Sequence, residues 1–187
     1  MFCGPPIRRG RAARIAGGEA LTPDAAESVR VFAVLARDYC NIIERVGSMS
    51  RFEFVAEISL RLAGLYAAGL QLPPPVPCRV PPDPPESFEW QSIETAIAAL
   101  MGEQNLYWEF FDPFIDEVVT TTLSDDLSDI YRDLSRGLAL YHRESIRATG
   151  CAGCEWGVSF AIHWGAHLVD AQRVLHRIIA DQLQGWT

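Results

Sequence analysis

From Leu123 to Tyr141 the chain reads LSDDLSDIYRDLSRGLALY, and the spacing of its apolar residues fits a helix and not a strand. Leu127, Ile130, Tyr131, Leu134, Leu138 and Tyr141 return every three or four positions and cover an arc roughly 100° wide. Asp125, Asp129 and Asp133 recur every fourth residue on another face, with Asp126 beside the first of them. A helix with one apolar stripe must bury it against neighbours, so this segment alone demands a packed helical partner.

The rest of the chain supplies such partners. Thr22-Pro23-Asp24 opens a helix with a capping hydroxyl, a proline where no amide donor is needed, and an acid near the positive dipole end. Phe32, Leu35, Tyr39, Ile42, Ile43 and Val46 continue it, and a break follows around residues 47–50. Phe52, Val55, Ser59, Leu62, Ala63 and Tyr66 mark the apolar face of a second helix, with Glu53, Glu57 and Arg61 outside. The two are expected to form a helical hairpin. Residues 73–85, PPPVPCRVPPDPP, lack amide donors and favour an extended polyproline path, which predicts an internal linker.

Trp90, Ile93, Ile97 and Leu100 predict a third helix closing before Gly102. The aromatic-dense residues 105–114 predict core, and Asp112-Pro113 predicts the cap of a short helix running to Glu117 or Val118. The acidic helix is expected from about Asp125 to Arg147, capped by Ser124 and stopped at Thr149-Gly150. A last helix is expected from about Trp156 to Gln184, with Phe160, Trp164, Leu168, Ala171, Leu175 and Ile178 inward. The expected architecture is all-α: one compact bundle of about five main helices over residues 22–187, preceded by a basic arm at residues 1–21.

Composition narrows the chemistry. All 16 basic residues are arginine. Without lysine there is no phosphate-loop lysine, no kinase nucleotide-gripping lysine and no Schiff base. No G-x-S-x-G elbow occurs. A net charge of −8 argues against general nucleic-acid binding. No apolar run approaches the roughly 18 residues that would span a membrane, so no membrane association is expected. Cys3, Cys40, Cys78, Cys151 and Cys154 have no framework spacing, and the expected location is a reducing cytoplasm. The C-x-x-C at Cys151 and Cys154 is read as small residues in a tight loop before the last helix.

Two segments carry side chains suited to a site. Asp125, Asp126, Asp129 and Asp133 gather like charges on one helix, where a divalent cation would relieve their repulsion. Helix capping by Asp125 and Asp126, with i,i+3 pairs of Asp129 with Arg132 and Asp133 with Arg136 worth about 0.2–0.5 kcal/mol each, accounts for much of the same cluster. His163 and His167 stand one helical turn apart, with Asp170 three residues further, at metal-ligand spacing. The ferritin-type Glu-x-x-His pair is absent.

Leu65-Tyr66 with Leu70-Gln71-Leu72-Pro73, Tyr107-Trp108 with Phe111-Asp112-Pro113, the Ser124 to Leu134 block with Gly137-Leu138, and Trp156 with His163-Trp164-Gly165 and His167 occur in this order. In that combination the chain resembles a bacterial family known as domain of unknown function 5063. The resemblance implies an all-α bundle and brings no established activity, cofactor or partner. The arginine-rich arm and the long proline linker depart from the family pattern.

Two functions are therefore expected in order. The first is a small cytoplasmic module acting through contact with an unknown protein partner, without catalytic activity and with no required cofactor. The alternative is a metal-dependent phosphohydrolase in which a divalent metal sits between Asp125, Asp126, Asp129, Asp133, His163 and His167. The alternative requires the acidic helix and the histidine helix to face each other.

Overall fold

The computed structural model describes residues 22–75, 78, 89–112 and 117–184. The basic arm at residues 1–21 and nearly all of the proline linker lie outside the described residues. The order is α1 (Pro23–Glu44), α2 (Arg51–Gly69), α3 (Glu89–Met101), β1 (Leu106–Asp112), β2 (Glu117–Thr122), α4 (Leu123–Tyr141), α5 (Ile146–Ile162) and α6 (Trp164–Gln184). The all-α bundle is observed, with one small antiparallel hairpin added to it.

Thr22 caps α1 through its side chain, which accepts from the Ala25 amide, and Ser50 caps α2 in the same way from Glu53. These helices pack on each other as the expected pair. The face of α2 is rotated from the expected one. Phe54, Val55, Ile58, Leu62 and Leu65 are buried, whereas Phe52 is 71% exposed and Tyr66 37% exposed. Alternating apolar residues at 52, 54 and 55 offered two stripes, and packing against α1 and α6 selected the one that starts at Phe54.

The acidic helix α4 is the centre of the molecule, in contact with α1, α3, α5 and α6. Its expected stripe is inside: Leu127, Ile130, Tyr131, Leu134 and Leu138 are buried. Its cap is Thr122, not Ser124. The Thr122 side chain accepts from the Asp125 amide, while Ser124 is buried inside the first turn and bridged to Asn105. The Asn105 side-chain carbonyl accepts from the Ser124 amide at 2.9 Å, satisfying a donor that the first helical turn leaves open. Gly137 lets α4 meet α5 closely, since a Cβ there would lie 2.0 Å from Trp156 Nε1. That indole donates to the Leu134 carbonyl at 3.1 Å.

Three further expectations are corrected. Residues 106–112 and 117–122 form strands, so Asp112, Glu117 and Val118 are extended. Residues 113–116, where the rest of the expected short helix falls, lie outside the described residues. β1 and β2 pair from Leu106 opposite Thr122 to Asp112 opposite Glu117, with an irregularity after Phe110. The β-branched run Val118-Val119-Thr120-Thr121-Thr122 favours the extended chain over the helix suggested by Asp112-Pro113. The aromatic density does not mean core throughout, because Leu106 and Trp108 are 62% and 68% exposed while Tyr107 between them is buried. Finally, α4 ends at Tyr141, and Ser145 caps a separate helix that runs through Thr149-Gly150.

Cys151 and Cys154 accordingly sit inside α5, not in a loop. Cys151 is bonded to Cys78 in the proline segment, across 73 residues of sequence. This pairing differs from the expectation of cysteines without a framework. The last two helices are one continuous helix only in the sequence pattern; they break at His163, whose backbone leaves the helical region with φ −146° and ψ −88°. Gly165 accommodates that break, because a Cβ at this position would stand 2.2 Å from the Phe160 carbonyl oxygen. Trp164 closes the junction by donating its indole N–H to the Trp156 carbonyl at 3.1 Å.

Candidate metal centre

Asp126, Asp129 and Asp133 follow one another by three and four residues, which places them on one face of α4. That face does not look into water. The start of α6 and the His163 junction cover it, leaving the Asp126 side chain 3%, Asp133 7% and Asp129 17% exposed. Burial of three carboxylates requires partners, and two are histidines.

His163 Nδ1 lies 2.9 Å from Asp133 Oδ2, and His167 Nδ1 lies 2.9 Å from Asp126 Oδ1. Each imidazole thus has its own carboxylate on Nδ1, which holds the ring and selects the tautomer with the other nitrogen available. Both remaining nitrogens converge on one atom: Asp129 Oδ2 is 3.6 Å from His163 Nε2 and 3.4 Å from His167 Nε2. Those separations exceed an ordinary N–H···O hydrogen bond. They match the roughly 3.4 Å edge of a tetrahedron of ligands each about 2.1 Å from a shared ion. Among the described residues, Asp129, His163 and His167 form the group whose ligand atoms all lie within 4.8 Å of one another.

A further layer orients this group. Arg132 holds Asp129 Oδ1 at 2.7 Å, leaving Oδ2 turned toward the imidazoles. Tyr107, carried inward by the strand alternation of β1, donates its hydroxyl to Asp126 Oδ2. Arg173 from α6 lies over the Tyr107 ring, 5.5 Å from its centroid. Burial pushes the Asp126 carboxyl upward, opposed by its hydrogen bonds to His167 and Tyr107. The His167 imidazole is raised chiefly by its hydrogen bond to Asp126, with burial acting the other way.

Five of the six residues singled out from the sequence therefore meet in space. Asp125 does not join them; it is exposed at the start of α4 and acts on His167 only through its charge. Asp170 pairs with Arg173 at 3.6 Å and stands outside the converging group. The expected Asp129–Arg132 pair is present, whereas Asp133 is taken by His163 and Arg136 turns to Glu155 at 3.5 Å. Tyr107 is the residue that sequence reading missed. Its signal was the strand period, polar end inward between two exposed neighbours, hidden in a segment read as core from its aromatic density.

The fold and these side chains define an all-α bundle with a histidine–carboxylate cluster between its central and last helices. The chain belongs to the family described as Domain of unknown function (DUF5063), which matches residues 23–181. Its fold is similar to that of protein BF1032 from Bacteroides fragilis, seen in a crystal structure: the TM-score is 0.70 at 24% identity, covering 81% of this chain and 92% of that chain. No curated protein matches the chain. Among the described residues no helix is long and apolar enough to cross a membrane.

Proposed function

We propose that this protein binds a divalent first-row transition ion through Asp129 Oδ2, His163 Nε2 and His167 Nε2. The observation that carries this reading is the convergence of both Nε2 atoms on one carboxylate oxygen while each Nδ1 is held by a separate buried aspartate. Two imidazoles and one carboxylate suit zinc or iron(II), and three protein ligands leave positions for water and a small molecule. An ion held by these three side chains would acidify a bound water, and hydrolysis is the reaction class such a centre would support. Asp126 and Asp133 serve as positioning residues for the two imidazoles.

Calorimetric titration of purified protein with zinc tests the reading. One ion per chain is expected, with a raised melting temperature. His163→Ala and His167→Ala should each abolish tight binding, and Asp133→Asn should weaken it by about 10–100-fold. Circular dichroism without metal establishes that these variants are folded. A wild-type chain that takes up no zinc, manganese or iron(II), or a folded His163→Ala, His167→Ala double variant that binds as tightly as wild type, overturns the proposal.

A second reading, docking onto a protein partner, is supported by Phe52 and Leu60 on α2 and Leu70 just past its end, which are 71%, 65% and 66% exposed. It requires no metal and expects a melting temperature indifferent to zinc.

A further inference from the structure

Beside the candidate centre lies an open groove of about 390 Å³, lined by Arg132, Asp133, Arg136, Glu155, Val158, Ser159, Ile162 and His163. His163 and Asp133 line the groove, so it shares His163, one of the three candidate ligands, with the centre. Arg132 and Arg136, one helical turn apart on α4, contribute two guanidiniums. Arg132 engages Asp129 through one nitrogen and lies over the Trp90 ring at 5.9 Å, while Arg136 uses Nε on Glu155. A guanidinium carries five N–H donors, so each arginine has donors beyond those bound to its carboxylate. Apolar side chains line it as well, with Val158 40% and Ile162 77% exposed.

Resting on the metal reading, we infer that this groove binds a phosphate monoester, its phosphoryl oxygens held by Arg136, Arg132 and the ion, its organic group against Val158 and Ile162. Planar guanidiniums suit phosphate because they offer paired donors, and an exposed ion supplies the remaining charge. Counting Asp129 of the metal centre with Asp133 and Glu155 of the lining, three carboxylates face the two guanidiniums when ionised. Without the cation that balance is net negative and disfavours a dianion, and with a divalent cation it turns net positive. The order of binding is therefore metal first, monoester second.

The test is calorimetric titration of zinc-loaded protein, freed of excess zinc, with phenyl phosphate and with inorganic phosphate. Phenyl phosphate should bind zinc-loaded wild type more tightly than inorganic phosphate does, and the zinc-free chain at least ten-fold more weakly. Arg136→Gln should keep its zinc affinity, since Arg136 touches none of the three ligands, and lose at least ten-fold in phenyl phosphate affinity. Ile162→Ser should reduce the preference for phenyl over inorganic phosphate. Zinc uptake without phosphate binding, equal binding with and without zinc, an unaffected Arg136→Gln, or no preference for the phenyl ester overturns the monoester site while leaving the metal centre intact. Failure to take up any of the metals overturns both.

Discussion

At the scale of single residues, several buried polar groups have a partner that fixes their state. Tyr39 donates its hydroxyl to the Leu127 carbonyl at 2.8 Å, and Tyr131 donates to Glu44 at 3.0 Å. Cys40, buried beside Ser135, has its thiol pushed from an ordinary 9.0 up to about 12, mainly by burial and further by Glu44, with Ser135 opposing. The sign of the consequence follows from proton counting. Stability is complete below about pH 9; above it the unfolded chain releases a proton that the folded chain keeps until about 12. Each pH unit in that window should cost about 1.4 kcal/mol through this one thiol. Tyr39 and Tyr131 are shifted upward as well, so the measurement is a difference. Urea denaturation at several values between pH 8 and 11 should show a steeper loss for wild type than for Cys40→Ala. Parallel curves would show that the thiol ionises equally in both states.

At the scale of elements, the junction between α5 and α6 decides whether the histidines can converge. His163 lies at the break and His167 in the first turn of α6, with ring centroids 4.8 Å apart. Gly165 is the one position between them where a methyl group meets backbone, the Phe160 carbonyl oxygen. Gly165→Ala should destabilise the fold by at least about 2 kcal/mol and shift the junction enough to weaken zinc binding. Ala166→Gly, at the exposed neighbouring residue, should cost about 1 kcal/mol through helix propensity and leave zinc affinity unchanged. Melting curves and zinc titrations of the two variants separate a junction that positions ligands from one that merely stabilises. The β-hairpin has a comparable positioning role, since its first strand brings Tyr107 to Asp126 and the preceding Asn105 ties down the start of α4.

At the scale of the whole molecule, the bundle is organised around an acidic helix that would ordinarily lie at the surface. Four helices surround α4, and the carboxylates on its remaining face are matched to His163 and His167 and to Arg132 of α4 itself. The Cys78–Cys151 bond adds a covalent tie between the proline segment and α5, with Cα atoms 5.3 Å apart. Because it closes a loop across 73 residues, reduction should lower stability by about 2–4 kcal/mol. Guanidinium denaturation with and without dithiothreitol should show this loss in wild type and none in Cys151→Ser. An equal response of the two proteins would remove the bond from the stability of the folded chain.

Most of the helices, the Thr22 cap and the apolar stripe of α4 were legible because they depend on residues within a turn or two of one another. The same local periodicity marked the aspartates and the His163–His167 pair as side chains worth following. It misplaced what depends on competition between segments: the buried face of α2, the strands at residues 106–112 and 117–122, and the division of the last helix at His163. What local sequence determined by itself was a helical bundle with carboxylates and imidazoles at suitable spacing on two helices. Only the tertiary structure decided that Asp133 meets His163 across 30 residues, Asp126 meets His167 across 41, and Asp129 stands between both rings. Helical spacing settles which side chains share a face, whereas packing of distant segments settles which faces meet, and a metal centre requires both.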